Sequence, residues 1–411
     1  MKRSKLIYVM RKYDFAASSQ VGELLLHYRD QGIFNEIFLV LSPLGFTQTL
    51  NDRLETLRNS GIHVLFYRDV PFLHRRTSFV QIRSIANILK QIAPAKPVSE
   101  TVIHARSALV TYFALEAQKR LKHLRAIPTL ADYRGTEWAE YLLFTHMKMS
   151  FVKEIVNPIE TSELLAVEKH VYENASSISV VSPDFKNYLS MMWGPRKSVF
   201  VNPCIAQGHL FNFDKKLRLN ARGQTRIAPN DIVILFSTGG ASPWQNITSI
   251  ISSFHAMRAK FSSLKNSLRL IILTPSAPGL PPGGDAVTIA SAAPQEMNRW
   301  LNLADVGVIF RDENIVNHVA SPIKVSEYLC AGLPILTNCG VPMAVRWVKE
   351  TTFGAVVDDM ADLSEQTLVR LSNINREMIA ARGKATYGLS TVAKGYLEAY
   401  STLFTNPESP K

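Results

Sequence analysis

The residues with the clearest chemical use are a lysine and a glutamate three positions apart, Lys324 and Glu327, in the run SPIKVSEYLCAGLPIL. On a helix this spacing puts both side chains on one face. A lysine near a helix start adds a positive charge to N–H groups that already favour phosphate, and a carboxylate one turn on can accept hydrogen bonds from both hydroxyls of a ribose. The pattern predicts a nucleoside-diphosphate site, or else an ordinary surface Lys–Glu pair, since such pairs are common.

The flanking residues predict where this helix begins and ends. Ser321 suits the N-cap and Pro322 the first helical position, because the fixed φ of proline fits there and its missing N–H is not needed. Gly332 suits the residue just past the helix end. The preceding strand, DVGVIF, ends at Phe310. Arg311 is therefore expected at the carboxyl end of that strand, where open parallel sheets bind ligands.

A glycine pair, Gly239 and Gly240, directly follows the strand DIVILFS, and Gln245 stands in the same segment. Glycines at such a place let the backbone approach a phosphate or a sugar closely. A Gly-Gly pair after a strand can also be a plain turn.

The elements that must position these residues are short strands alternating with helical stretches. The first half contains KLIYVM, EIFLVL, IHVLFY, TVIH, PTLA, SISVV and SVFVN, and the second half DIVILFS, LRLIILT, AVTI, DVGVIF, PILT and GAVV. Continuous apolar strands are typical of parallel sheets covered on both faces, and the alternation indicates a doubly wound α/β fold. A chain of 411 residues exceeds what one hydrophobic core supports, so two domains are expected.

The domain boundaries follow from a polar, irregular stretch, 206–230, which we interpret as an interdomain connection. The prediction is two Rossmann-like domains, 1–205 and 231–385, facing a central cleft. A final amphipathic helix in 386–411 would cross back to the first domain. Its apolar residues stand at helical spacing: Val392, Tyr396, Tyr400 and Leu403.

Composition narrows the function classes. With 46% hydrophobic and 19% charged residues, the chain is typical of a globular protein. Its three cysteines have no CxxC spacing and no histidine cluster, which argues against a zinc site or a disulfide framework and favours a reducing cytoplasm. The apolar run LIYVM is too short for a signal peptide, and no stretch reaches the roughly 18–20 residues of a membrane span. A cytoplasmic location is expected.

The formal net charge of +12 favours an anionic partner. Basic residues concentrate in the segment 68–96, interleaved with apolar ones. This segment predicts either a helix lying on an anionic membrane, at the inner face of the cell membrane, or a core-packed helix with a solvated basic face. No nucleic-acid-binding motif accompanies the charge, so no nucleic-acid partner is expected.

Four further candidates follow strands in the first half of the chain: His104 and Arg106 in IHAR, and Asp132 and Arg134 in DYRG. Histidine suits proton transfer at neutral pH, although a single histidine after a strand is more often structural. Asp132 and Arg134 can orient an acceptor or pair with each other.

The run SPIKVSEYLCAGLPIL is similar to the donor-site segment of GT-B glycosyltransferases, in particular family 4-like enzymes of bacterial surface-polysaccharide synthesis. Many of these read close to S-P-x-K-x-x-E-Y-x-x-x-G-x-P-I/V. ILFSTGGASPWQNITSIISSF resembles the first strand, glycine loop and helix of their second domain. The resemblance implies transfer of a hexose-type sugar from a nucleoside diphosphate to an acceptor hydroxyl, with retention of configuration and without a metal or other cofactor.

The same resemblance implies roles for individual residues. Glu327 would bind the ribose of the donor, and the helix start at Ser321 and Pro322, with Lys324, would face the diphosphate. His104 resembles a family histidine near the donor sugar and the acceptor. A lipid-linked glycan at the cytoplasmic face is one expected acceptor, and a soluble acceptor is the other.

The sequence departs from the family at two points. Val319 stands where the better-known pattern has a first glutamate that contacts the donor sugar. Many relatives also carry an Arg and a Lys near the glycine loop, where this chain has SPWQN; Lys324 and Arg311 can supply that charge. These departures keep open a non-catalytic partner protein of the same fold, and a nucleotide-sugar epimerase is a further alternative.

Overall fold

The computed structural model describes residues 3–14, 17–43, 48–70, 78–93, 100–146, 151–207, 209–225, 227–239, 247–275 and 286–405. They form two compact units. The first consists of the residues up to Pro203 together with the last helix, from Leu389 onward, and the second runs from Cys204 to Gly388. Each unit is built on one parallel sheet with helices, which confirms the predicted α/β fold class.

The first unit has seven strands and eight α-helices in its described residues. The strands are β1 (Arg3–Met10), β2 (Phe34–Leu41), β3 (His63–Phe66), β4 (Thr101–Arg106), β5 (Thr129–Tyr133), β6 (Ser177–Val180) and β7 (Val199–Val201). The helices are α1 (Glu23–Asp30), α2 (Gln48–Asn59), α3 (Phe79–Ile92), α4 (Ala108–Lys119), α5 (Glu137–His146), α6 (Phe151–Asn174), α7 (Pro183–Trp193) and, last in the chain, α16 (Leu389–Thr405). The strands lie in the order β3-β2-β1-β4-β5-β6-β7.

The second unit has six strands and eight α-helices in its described residues. The strands are β8 (Ile232–Ser237), β9 (Leu268–Leu273), β10 (Val287–Ala290), β11 (Val306–Ile309), β12 (Ile335–Thr337) and β13 (Gly354–Val356). The helices are α8 (Lys215–Gln224), α9 (Ile247–Lys260), α10 (Met297–Leu303), α11 (Ile315–Val319), α12 (Ile323–Cys330), α13 (Pro342–Thr351), α14 (Glu365–Ser372) and α15 (Arg376–Tyr387). The strands lie in the order β10-β9-β8-β11-β12-β13.

Burial of the central strands explains why their sequences are almost wholly apolar. Every residue of β8 and of β11 is buried, as are the first five of the six residues of β4. Parallel strands covered by helices on both faces have no solvent-facing side and therefore no alternation of polar residues. The predicted strands of both halves are confirmed.

The interpretation of 206–230 as irregular is wrong in one part, because helix α8 lies within it. Asp214 caps this helix by accepting hydrogen bonds from the next turn. Its inward side is charged: Arg218 and Arg222 both bind the carboxylate of Asp305, and Arg222 is only 6% exposed. A helix that buries arginines instead of aliphatic residues has no hydrophobic periodicity to reveal it.

The last helix, α16, forms as predicted and belongs to the first unit. All four apolar residues that predicted it are buried. It is also bonded to α1, since the hydroxyl of Tyr28 donates to the carbonyl of Ala393 over 3.2 Å.

The basic segment 68–96 is described except for 71–77 and 94–96. Its helix α3 packs against α4 and buries its apolar face, including Ile82, Ile85 and Leu89. Arg83 and Lys90 are exposed. This is the arrangement of a core-packed helix with a solvated basic face; contact with a membrane stays a prediction. No helix in the described part of the chain is long and apolar enough to cross a membrane.

Candidate functional site

The helix that carries Lys324 and Glu327 is α12, and it begins one residue later than the sequence predicts. Pro322 is its N-cap, with an extended ψ of 122°, and no described side chain caps the helix start. Ser321 as the N-cap is therefore wrong: its hydroxyl accepts a hydrogen bond from the N–H of Cys204 over 3.0 Å. The first N–H groups of α12 thus have no side-chain acceptor among the described residues, which suits an anion.

The other end of α12 confirms the prediction for Gly332. Its φ is +73°, and its N–H bonds the carbonyl of Leu329 over 2.9 Å. The next N–H, of Leu333, bonds the carbonyl of Tyr328 over 2.8 Å. This is the Schellman end of a helix. A Cβ at this position would also lie 2.4 Å from the carbonyl oxygen of Arg376, so both φ and space require glycine.

Lys324 and Glu327 are mostly buried. Within the described part of the chain, neither side chain makes a hydrogen bond or an ion pair. Burial raises the pKa of Glu327 to about 7, and the charge of Lys324 only partly offsets this. Burial also lowers the pKa of Lys324; Glu327 opposes that shift and Arg311 adds to it. Ionisable side chains that are mostly buried and make no hydrogen bond or ion pair are costly in a free protein and are typical of ligand sites.

Arg311 lies two residues past the end of β11, and two asparagines hold it. Asn338, which follows β12, accepts from the Arg311 N–H over 3.1 Å and donates to its carbonyl over 2.9 Å. Asn317 accepts from the guanidinium over 3.1 Å. Burial lowers the pKa of Arg311 to about 10. Neither asparagine is predicted from the sequence, since single amides carry no periodic signal.

Gly239 lies just beyond the end of β8, and no described atom stands within 4 Å of where a Cβ would be. Strands β8, β11 and β12 are neighbours in the sheet, so Gly239, Arg311 and Asn338 follow adjacent strands at one edge. The predicted residues Gly240 and Gln245 lie outside the described residues. The described site therefore combines a sheet edge, two cations and one carboxylate.

In the first unit, His104 is fully buried in β4. Its Nδ1 lies 2.5 Å from the hydroxyl of Tyr400, its Nε2 lies 3.5 Å from Asp132, and its ring lies 4.2 Å from that of Tyr8. Burial lowers the pKa of His104 despite the nearby carboxylate. These are the surroundings of a structural histidine, and its catalytic role stays a prediction.

Asp132 joins the other three first-unit candidates. Its carboxylate lies 3.6 Å from Arg134 and 3.6 Å from Arg106, and it accepts a hydrogen bond from Tyr396 over 3.1 Å. Burial alone would raise the pKa of Asp132, but Arg134, His104 and Arg106 outweigh it and hold the pKa well below its usual range. Asp132 and Arg134 therefore pair with each other, and a role in orienting an acceptor stays a prediction.

Among the described residues, no three His, Cys, Asp or Glu side chains stand close enough to hold a metal ion. The three cysteines are free thiols. Cys330 is buried in the second unit, Cys204 is half-buried and Cys339 is exposed.

No protein-family model and no curated protein matches the sequence. Several solved structures are similar in fold. A glycosyltransferase from Rickettsia africae has a TM-score of 0.70 at 12% identity, covering 99% of this chain and 100% of its own. Sucrose-phosphate synthase from Thermosynechococcus elongatus has a TM-score of 0.65 at 15% identity, covering 98% and 100%. Anabaena HepE, solved in complex with UDP, has a TM-score of 0.63 at 14% identity, covering 97% and 100%.

At identities this low, a structural likeness shows the fold alone. The same fold is shared by a Listeria monocytogenes protein assigned as a UDP-N-acetylglucosamine 2-epimerase, so it does not select one activity. The chain has the fold of the GT-B glycosyltransferases.

Proposed function

We propose that this chain is a glycosyltransferase, which moves a sugar from a nucleoside-diphosphate sugar to an acceptor hydroxyl. One observation carries the proposal: Lys324 and Glu327 lie mostly buried on α12, near Arg311, without a hydrogen bond or ion pair of their own among the described residues. A nucleoside diphosphate supplies both missing partners, since its phosphates pair with the cations and its ribose hydroxyls donate to the carboxylate.

The chemistry of such a transfer requires the leaving diphosphate to be stabilised as negative charge develops on it. Cations and N–H donors fixed in advance do this best, because they need no reorganisation during the reaction. Lys324, Arg311 and the uncapped start of α12 meet that requirement. The leaving phosphate can take the proton of the acceptor hydroxyl, so the reaction needs no separate strong base and no metal. We expect retention of configuration, and a polysaccharide or glycolipid as product.

The acceptor would bind in the first unit. His104 and Arg106 lie in the last three residues of β4, Asp132 lies in β5, and Arg134 directly follows β5, near the sheet edge where ligands of parallel sheets bind. A lipid-linked glycan on the inner face of a membrane would suit a basic protein, with the exposed Arg83 and Lys90 of α3 toward the anionic surface.

Two other functions are alternatives to sugar transfer. A non-catalytic partner would bind the nucleotide sugar without turnover; Val319, at the position of the absent glutamate, is fully buried in α11 and offers no polar contact to a sugar. An epimerase would change the sugar within one substrate. Product analysis separates the three: a transferase releases the nucleoside diphosphate, an epimerase returns an altered nucleotide sugar, and a partner returns the donor unchanged.

The first test is a thermal melt of the wild-type protein with UDP, GDP, TDP, ADP and CMP. A ligand at about 100 times its Kd stabilises the folded state by roughly 2.7 kcal/mol, which raises the melting temperature measurably. Glu327→Ala should abolish the shift. Glu313→Ala, which changes an exposed glutamate of the same unit, should retain it. If no nucleotide shifts the wild-type melt, the proposed donor site is wrong.

A further inference from the structure

The residue after Glu327, Tyr328, connects α12 to the end of a neighbouring strand. Its side chain is fully buried. The hydroxyl oxygen accepts a hydrogen bond from the N–H of Ser237, the last residue of β8, over 3.1 Å. It also lies 2.8 Å from the hydroxyl of Ser237. Gly239 follows two residues later, so the phenol holds the chain two residues before Gly239.

The hydrogen-bond pattern of the sheet explains why Ser237 has an N–H to give. Pairing of β8 with β11 ends at Phe236, whereas pairing with β9 continues through Ser237. The N–H of Thr238 bonds Leu273 of β9 over 2.8 Å. Because N–H groups alternate sides along a strand, that of Ser237 points toward β11, past the end of the ladder. Tyr328 supplies the acceptor that β11 no longer provides, since a buried N–H without one is costly.

A glycine in β11 makes room for this contact. A Cβ on Gly307 would lie 2.3 Å and 2.7 Å from two ring carbons of Tyr328, and 2.9 Å from Leu333. The phenol therefore crosses β11 at the one residue without a side chain and reaches β8 beyond it. No larger residue fits at this crossing unless the ring moves.

We propose that Tyr328 is a positioning residue for the donor: it fixes the end of β8, and so Gly239, relative to the helix that carries Lys324 and Glu327. This inference rests on the proposed function. Glu327, whose carboxylate would accept hydrogen bonds from the ribose, belongs to α12 itself. Its position does not depend on β8. In this proposal the diphosphate would contact the start of α12 and the backbone at Gly239, so its binding would depend on how the two are spaced.

This division predicts a selective effect for Tyr328→Phe, which keeps the ring and its packing and removes only the hydroxyl. Affinity for a nucleoside diphosphate should fall about tenfold. This is the effect expected when the hydrogen bond to Ser237 is lost and the backbone at Gly239 shifts. Affinity for the matching monophosphate should change less than about twofold. A tyrosine that only stabilised the fold would weaken both ligands equally or neither.

The experiment is isothermal titration of the full chain with four matched pairs: UDP and UMP, GDP and GMP, TDP and TMP, ADP and AMP. Tyr387→Phe is the control, because the hydroxyl of this buried tyrosine of the same unit makes no hydrogen bond with a described residue. Amide hydrogen exchange of the ligand-free proteins is measured alongside. Exchange at the Ser237 amide should accelerate at least about tenfold in Tyr328→Phe and stay unchanged in Tyr387→Phe.

The outcomes separate this inference from the proposed function. If the wild type binds none of the four diphosphates, the proposed function fails and the inference fails with it. If the wild type binds one and Tyr328→Phe binds it equally well, only the inference is overturned. Equal weakening of diphosphate and monophosphate, or unchanged exchange at Ser237, overturns it as well.

Discussion

The hydroxyl of Tyr396, in α16, donates a hydrogen bond to the buried carboxylate of Asp132, at the end of β5, over 3.1 Å. The same hydroxyl accepts one from Arg134 over 3.1 Å. It thus joins the last helix of the chain to the strand end where the first-unit candidates lie. Because the acceptor is charged and buried, losing this donor should lower the free energy of unfolding.

Replacing Tyr396 by phenylalanine should therefore destabilise the protein by about 1–3 kcal/mol, because the buried carboxylate of Asp132 loses a donor. Urea unfolding followed by circular dichroism measures this as a lower midpoint. Tyr387→Phe is the matched control, expected to change the free energy of unfolding by less than about 0.5 kcal/mol. Equal effects of the two substitutions would show that the hydrogen bond to Asp132 contributes nothing.

Acid should remove the stabilisation that Asp132 provides. Because its pKa in the folded state is held far below its usual range, the unfolded chain, in which Asp titrates near 3.9, binds the proton more readily. The stabilisation is therefore complete above about pH 4 and is lost as the pH falls from there through the folded-state pKa.

Unfolding free energies from pH 6 to pH 3 measure this loss. Asp132→Asn should be less stable than the wild type at pH 6, and the difference should shrink toward pH 3. Asp30→Asn, at an exposed aspartate of α1, should follow the wild-type profile. Parallel profiles for the wild type and Asp132→Asn would contradict the argument.

The sequence predicted those parts of the fold whose residues repeat a pattern. The strands were found because buried parallel strands are continuously apolar, and α16 because its apolar residues recur at helical spacing. Helix α8 was not predicted, because Arg218 and Arg222 occupy its inward side. Pattern reasoning assumes that buried faces are apolar, and it fails wherever a buried carboxylate such as Asp305 takes the place of a hydrophobic contact.

The candidate site was predicted less completely, for two physical reasons. Ser321 precedes a proline and therefore resembles an N-cap residue. Only the tertiary structure reveals that its hydroxyl instead accepts a hydrogen bond from the N–H of Cys204, 117 positions away. Asn317, Asn338 and Tyr328 act through hydrogen bonds to residues that lie outside their own helix or strand. Spacing along the chain carries no information about such partners.

Arg376, at the start of α15, is a buried cation that connects the ends of two other helices by hydrogen bonds. Its guanidinium donates over 2.8 to 3.0 Å to the carbonyls of Leu301, Asn302, Ala304, Ala331 and Gly332. These carbonyls end α10 and α12, where a positive charge is favourable. The ring of Phe213 lies 4.5 Å from the guanidinium carbon, within cation–π range. Burial lowers the pKa of Arg376 to about 9.

Arg376→Met should destabilise the protein by about 3 kcal/mol or more, because it leaves several buried carbonyls without a donor. Chemical unfolding in urea measures the change. Arg382→Met, an exposed arginine on the same helix, should have an effect below about 0.5 kcal/mol. A similarly small effect at Arg376 would mean that water replaces its hydrogen bonds without cost.

Glu327 should make the free protein less stable as the pH rises toward neutrality. Its pKa in the folded state is raised to about 7 by burial, whereas a glutamate in an unfolded chain titrates near 4.3. Between these values the folded state binds more protons than the unfolded state. The free energy of unfolding therefore falls with increasing pH across this window, the reverse of the behaviour expected for Asp132.

Glu327→Gln removes this titration while keeping the shape of the side chain. Its stability should match that of the wild type near pH 4.5 and exceed it by on the order of 2 kcal/mol at pH 8. Glu313→Gln, at an exposed site, should follow the wild type throughout. A stability difference that does not change with pH would show that Glu327 ionises freely in the folded state. The same substitution should also weaken nucleotide binding. A variant that is more stable but no longer binds nucleotide would show that Glu327 serves function at a cost in stability.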